Sequence, residues 1–357
     1  MIKKSCDRVF GLDILRSIAI ILVVFSHSTA LLSNQINSYL TFPLPDGVDL
    51  FFVLSGYLVG LILIKTVERN DGINLLLMIN FLIRRWFRTL PNYFLFLLIN
   101  IVLIYFSLIP GELNKYLITY FVFFQNFHKP YDFLFWESWS LSVEEWFYIF
   151  YPFILVFTFW VRGGEKGGGR KKMILISIFV LLILPLLYRI IESTPSMDTD
   201  AYFRKLVLTR LDSIGFGVLA SYISFYNNYF WKKHKNTFFL IGSLSMVFLL
   251  NLNEASVFFN QTFIFTIKSL SIALLLPKLS SIECERIKFK PFQFISKISY
   301  SIYLVHLPLF FLIKKSSFFD GSLILYVFYW VLTILISNLI YVFFEKPIMN
   351  YRDRISL

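Results

Sequence analysis

The chain has 357 residues, of which 57% are hydrophobic, 20% aromatic and only 16% charged, and its mean hydropathy is +0.69. Soluble domains carry roughly 25% charged residues, so this chain has too little polar surface to cover a water-soluble globule. A net charge of +12 would suit a polyanion, but the Lys and Arg residues sit in short segments between apolar runs and not on one amphipathic face, which excludes nucleic acid as the partner.

Apolar runs long enough to cross a hydrocarbon core of about 30 Å recur from end to end. They predict an all-α polytopic membrane bundle of about ten transmembrane helices, a single domain over 1–357, with spans near 12–32, 49–64, 90–109, 139–160, 173–191, 206–226, 237–252, 262–277, 297–313 and 322–344. The opening MIKKSC and the run after Leu12 have the outline of a secretory signal. Arg16 and His27 inside that run, and the spans after it, make it an uncleaved first helix. The segment 116–127 is apolar but short, and counting it as a crossing would carry the basic stretch RGGEKGGGRKK to the outer side, so it reads as re-entrant or interfacial. Most of the 34 Lys and Arg residues then fall on the side of the N-terminus, which places both termini in the cytoplasm. Gly163 to Gly169 is a flexible linker, since no strand precedes it to make a phosphate loop. Cys6 and Cys284 both fall in cytoplasmic segments and imply free thiols, with neither a disulfide framework nor a metal site.

Ionisable residues inside spans cost about 2.5–3.5 kcal/mol each to insert, so those that share a face are functional candidates. On the first helix Arg16 and His27 lie eleven residues apart, only about 20° beyond three full turns, at a rise of ~16 Å. Asp13 stands one turn before Arg16 and is placed to pair with it. The alternative is a snorkelling arginine and a hydrogen-bonded core histidine. The stretch GVDLFFVLSGYLVG brings Asp49 to the start of the second span, as a buried charge or an outer-interface cap. Its Gly56 and Gly60 permit close helix packing. RRWFRTLP sets Arg84, Arg85 and Arg88 at the mouth of the third span, a fork suited to phosphate oxygens or to ordinary positive-inside charge. ESWSLSVEEWFYIFYP places Ser142, Glu144 and Glu145 at the outer end of a span, where a carboxylate either exchanges a proton or balances Arg210. Arg210 and Asp212 in TRLDSIGFG form a further intramembrane pair. His306 lies in SYSIYLVHLP, and Glu345 to Pro347 read as a helix stop at the cytoplasmic surface.

Together these segments resemble the acyltransferase 3 family of membrane enzymes from about Asp7 to Pro347. The Arg16 and His27 spacing, Gly47 to Tyr57, the arginines at 84, 85 and 88, Trp139 to Glu145, Arg210 with Asp212, Tyr300 to Pro308, and Glu345 to Pro347 match its motifs in order. Trp146 departs from the glutamine that many relatives carry there, which points to a different acceptor. The resemblance is to standalone members without a fused hydrolase-like domain.

It implies an O-acetyltransferase of the bacterial cytoplasmic (inner) membrane. The donor is cytoplasmic acetyl-CoA, with no bound cofactor, and the acceptor a hydroxyl of a lipid-linked or exported surface polysaccharide of O-antigen or capsule type. Membrane lipids surround the chain, and a homo-oligomer is left open. In this scheme Arg84, Arg85 and Arg88, with Arg16 deeper, hold the donor phosphates. His27 is general base or acyl carrier, Glu144 or Glu145 orients it or takes the proton, and Asp13, Asp49, Ser142, Arg210, Asp212 and His306 support the bundle. Two other classes compete. A secondary transporter or flippase also needs intramembrane charge, and a noncatalytic scaffold of glycan assembly needs none.

Overall fold

The computed structural model describes residues 9–40, 42–130, 134–161, 169–252, 256–283, 291–316 and 321–354. Cys6, Cys284 and all but the last glycine of the Gly163 to Gly169 stretch lie outside them. Among the described residues the chain is helical with no strand, as an all-α bundle requires. The ten principal helices are α1 Phe10–Ser28, α2 Gly47–Arg69, α3 Leu75–Tyr105, α4 Ser138–Val161, α5 Gly169–Glu192, α6 Leu211–Tyr226, α7 Lys235–Leu250, α8 Phe263–Leu279, α9 Pro291–Lys315 and α10 Leu323–Ile340. Each overlaps an expected span. Seven are long and apolar enough by length and composition to cross a membrane, counting α1 to Leu31 and α10 to Arg354, while α6, α7 and α8 have only 16, 16 and 17 residues. The segment near 116–127 holds only the short helix Leu117–Phe121. Its irregular remainder is tied to protein: Tyr93 donates to the Tyr120 carbonyl, and Asn126 donates to the carbonyls of Trp139 and Lys205. Non-helical backbone is tolerated at membrane depth only when it is covered in this way.

Helices α2 and α9 form the centre, each with 72% of its apolar window buried. Around α2 pack α1, α4, α6 and α8, and α9 lies between α1 and α10. Helices α2 and α6 cross closely. A Cβ added to Gly56 would stand 1.9 Å from the Ile214 carbonyl oxygen, and one added to Gly217 would stand 2.0 Å from that of Val53. Lipid tails are as apolar as the side chains, so such contacts rest on dispersion at short range, which small residues allow.

Two expected boundaries differ. Helix α3 begins fifteen residues before the expected span, so Arg84 to Arg88 lie inside it and Pro91 interrupts it from within. At the other end, Glu345 to Pro347 do not stop the last helix. A π-helical turn over Tyr341–Glu345 passes straight into Lys346–Arg354. Pro347 brings no amide hydrogen, and its ring crowds the carbonyl four residues earlier, and the wider turn absorbs both effects. Glu345 is buried and accepts hydrogen bonds from Asn92 and Ser301, joining α3 to α9.

The glycine crossing makes an outcome measurable. Gly217→Ala forces backbone apart and lowers the thermal stability of the detergent-solubilised protein, by about 1–3 kcal/mol. Gly215→Ala on the same helix meets only leucine side-chain ends at 3.0 Å or more and costs less. Equal melting shifts for the two would remove the close crossing as a stability determinant.

Candidate functional site

A cavity enclosing about 870 Å³, counting its open mouth, runs between α1, α2, α3, α4 and α9. Arg16, Arg85 and Arg88 line it together with Ser55, Thr89, Ser140, Glu144, Tyr148, Tyr300 and Tyr303. Arg85 and Arg88 stand three residues apart on one face of α3, and the Arg85 guanidinium lies 5.6 Å from the Phe81 ring centre and 5.9 Å from that of Tyr148. Arg84 is exposed and does not line the cavity, so the fork has two teeth and Arg16 supplies a third charge from α1. Arg84 and Arg88, four apart, were expected to share the inward face with Arg85 at its flank; the fold instead turns Arg85 inward with Arg88, three residues on, and Arg84, rotated by 100° from Arg85, to the exposed side.

The adjacent glutamates are separated in the same way. Glu144 faces the arginines: its Oε2 accepts from the Tyr148 hydroxyl at 3.0 Å, and Ser55 shares a hydrogen bond of 3.1 Å with that same hydroxyl. Glu145 faces a second, apolar cavity with Trp86, Leu90, Phe94 and Trp146, and accepts from Thr89 at 2.6 Å. Ser142 and Trp146 both donate to the Phe123 carbonyl, at 2.7 and 2.9 Å, where the backbone takes a left-handed φ of 59°. They anchor the short segment and leave the cavity to others.

His27 lies outside that cavity. Its Nδ1 is 3.1 Å from Nε2 of His306, and the two rings stack at 29° with centres 5.3 Å apart. His306 is fully buried while His27 is exposed. The scheme drawn from the resemblance set His27 beside Glu144 or Glu145; the fold places it with His306, beside the charged cluster of Asp46, Arg204 and Lys205. Tyr303 joins the two regions. Its side chain is part of the cavity lining, its hydroxyl shares a 2.6 Å hydrogen bond with Ser140 and donates to the Glu137 carbonyl, and its own carbonyl bonds His306 Nδ1 at 2.5 Å.

Beyond the helix ends, Asp46 caps α2 through the amide of Val48 and pairs with Arg204, which also bonds Asp200 and stacks over Trp139 at 5.0 Å. Burial raises the Asp46 carboxyl, but Arg204 and the Val48 amide outweigh it and hold the group below the usual carboxylate range. Sequence reading left Asp49 as a buried charge or an interface cap, and the fold takes the first. Asp46 is the cap, and Asp49 is buried and paired with Arg210.

The expected pairing of Arg210 with Asp212 is corrected. Two residues apart near a helix start they point to different sides, so Arg210 reaches Asp49 on α2 while Asp212 takes a forked bond from Arg189, at 2.9 and 2.6 Å. Arg189 was passed over in the sequence, although a lone arginine at the end of an apolar run was signal enough. It is wholly buried and also donates to the carbonyls of Thr262 and Thr209. Asp13 accepts a hydrogen bond from Ser296 on α9.

Glu137, just before α4, is another buried group the sequence did not single out; its Oε1 has no hydrogen-bond partner among the described residues. Burial pushes its carboxyl up to about 8. A raised carboxyl favours the folded state fully below the ordinary carboxylate range, and that contribution is lost as pH rises through about 8. Glu137→Gln therefore matches the native protein in thermal stability near about pH 5 and exceeds it near about pH 9. A constant difference across that range would show that Glu137 is ionised in the fold.

The family described as acyltransferase domain matches residues 9–342. The peptidoglycan O-acetyltransferase OatA of Listeria monocytogenes is 29% identical over 74% of this chain and 44% of its own length. The O-acetyltransferase OatA of Staphylococcus aureus is 27% identical over 95% of this chain and 57% of its own. The chain thus spans about half the length of these curated relatives. No solved structure matches it.

Proposed function

The chain belongs to the acyltransferase family that covers residues 9–342, and we propose that it is a membrane O-acetyltransferase drawing on acetyl-CoA from the cytoplasm. The observation that carries this reading is a cavity lined by Arg16, Arg85 and Arg88 and also by Tyr303, whose carbonyl bonds His306 of the histidine pair. Three guanidinium groups suit the phosphates of a coenzyme A donor, since a fork of donors matches phosphate oxygens. The ~16 Å rise between Arg16 and His27 suits the reach of its pantetheine arm.

In the reaction His27 takes the proton of an acceptor hydroxyl, and the hydroxyl oxygen attacks the thioester carbonyl. The carbon–sulfur bond breaks, and the proton leaves with the coenzyme A thiol. Glu144, hydrogen-bonded through Tyr148 and within the field of the three arginines, keeps the donor end from carrying unbalanced positive charge. The acceptor is a surface glycan presented at the His27 end, either lipid-linked or exported, of O-antigen or capsule type. The Listeria relative's name adds peptidoglycan to the polymers to be assayed. The chain is a multi-pass membrane protein, and we place it in the bacterial inner membrane with the arginine end inside.

Purified protein given acetyl-CoA and glycan releases coenzyme A thiol and gains one acetyl ester on the glycan by mass spectrometry. His27→Ala abolishes both. Movement of glycan without thiol release would instead identify a transporter.

The donor contacts are tested separately. Arg85→Gln with Arg88→Gln raises the acetyl-CoA concentration needed for half-maximal rate by about tenfold or more, from contacts worth roughly 1.5–3 kcal/mol each. Arg84→Gln changes it little. Equal effects of all three would return them to topology signals.

Sidedness has its own readout. A cysteine at exposed Lys129 reacts with an impermeant thiol reagent from outside intact cells, whereas one at exposed Lys171 reacts only after permeabilisation. The reverse pattern puts the arginine end where acetyl-CoA is absent.

A further inference from the structure

The two histidines do not contribute equally, and the hydrogen bonds say which nitrogen of each carries the proton. A backbone carbonyl can only accept, so the 2.5 Å contact between His306 Nδ1 and the Tyr303 carbonyl requires a hydrogen on Nδ1. In a neutral imidazole the other nitrogen then holds a lone pair. His306 is fully buried, with its carbonyl held by the Tyr329 hydroxyl at 3.1 Å, and Tyr303 is itself fixed through Ser140 and the Glu137 carbonyl. An imidazolium at that depth would need a counter-charge, and among the described residues the groups hydrogen-bonded or stacked on the ring are the backbone of Tyr303 and Ile302, the Tyr303 ring and His27, all uncharged or cationic. His306 is therefore neutral, with Nε2 as an acceptor.

That acceptor faces His27 Nδ1 at 3.1 Å. His27 must then carry its hydrogen on Nδ1, which leaves its Nε2 unprotonated on the exposed side of the pair. In water a histidine side chain is free to exchange between its two neutral forms; here the choice is imposed from a backbone carbonyl through a buried ring. We infer that His306 is a positioning residue that locks His27 in the Nδ1–H form and presents Nε2 as the base toward the acceptor hydroxyl, with the Tyr303 carbonyl setting the polarity of the relay. When His27 Nε2 takes the hydroxyl proton, the Nδ1–H bond to His306 strengthens and holds the imidazolium in place until the proton leaves with the thiol. The inference rests on the reading of His27 as base, and gives His306 a role that support of the bundle alone would not require.

Two measurements separate a relay from a packing role. The chain has four histidines, so ¹⁵N spectra of side-chain-labelled protein in lipid resolve His27 by its loss in His27→Ala. The wild type shows His27 protonated on Nδ1 and bare on Nε2. For activity, His306→Leu, which cannot accept, lowers kcat by about 100-fold or more, the scale of lost general-base catalysis, and leaves the KM for acetyl-CoA within about twofold. His306→Gln, whose side-chain oxygen reaches the same point as an acceptor, recovers kcat to within about tenfold of wild type. Wild-type His27 protonated on Nε2 overturns the inference even if His306→Leu fails to fold. So does a His306→Gln enzyme as slow as His306→Leu, or a His306→Leu enzyme as fast as wild type. If His27→Ala keeps transfer, the base assignment itself falls, whatever the tautomer.

Discussion

A guanidinium in hydrocarbon has no water to turn to, and this bundle is organised around that constraint. Arg189 and Arg210 are both wholly buried, and each is met by a carboxylate from a different helix: Asp212 on α6 and Asp49 on α2. Arg189 is satisfied further by the carbonyls of Thr262 and Thr209, and both guanidinium groups lie against the Phe265 ring. Removing one partner of such a pair leaves a buried charge uncompensated, at a cost of about 3–5 kcal/mol. The pairs therefore specify which helices are neighbours. α2, α5 and α6 are drawn together at the depth where these charges lie, and Gly56 and Gly217 let α2 and α6 approach closely enough for the pairing to form.

The same constraint sorts the remaining charges. Arg16, Arg85 and Arg88 line a cavity, and among the described residues Glu144 is the acidic group on its wall. Glu144 offsets part of the charge of these three arginines, and the cavity they line together suits an anionic ligand that enters and leaves. At the far end, Asp46, Asp200 and Arg204 form a closed cluster over Trp139 that fastens the start of α2 to the segment before α6. Tyr303 lies between these regions and touches both through different atoms, its hydroxyl toward the cavity and its carbonyl toward the histidines.

Much of this was legible in the sequence. Ten apolar runs marked ten helices, the glycines of α2 marked a close crossing, and Arg16, Arg85, Arg88 and Glu144 were singled out before the cavity that unites them was visible. These succeed because insertion cost and helical period act locally: a run of twenty residues carries its own evidence. Where the reading erred, it assumed that neighbours in sequence are neighbours in space. Arg210 and Asp212, two residues apart, were read as a pair, and each has its partner on another helix.

The sequence by itself determined the solvent, the helices and most of the charged residues that had to be explained, Arg189 and Glu137 excepted. Only the tertiary structure decided who meets whom: Arg210 with Asp49, Asp212 with Arg189, His27 with His306, and Glu345 with Asn92 and Ser301. The physical reason is that hydrophobic cost depends on one residue and its depth, whereas a hydrogen bond or ion pair depends on the rotation and crossing of two helices, here separated by as many as 279 residues for His27 and His306. No local window contains that information.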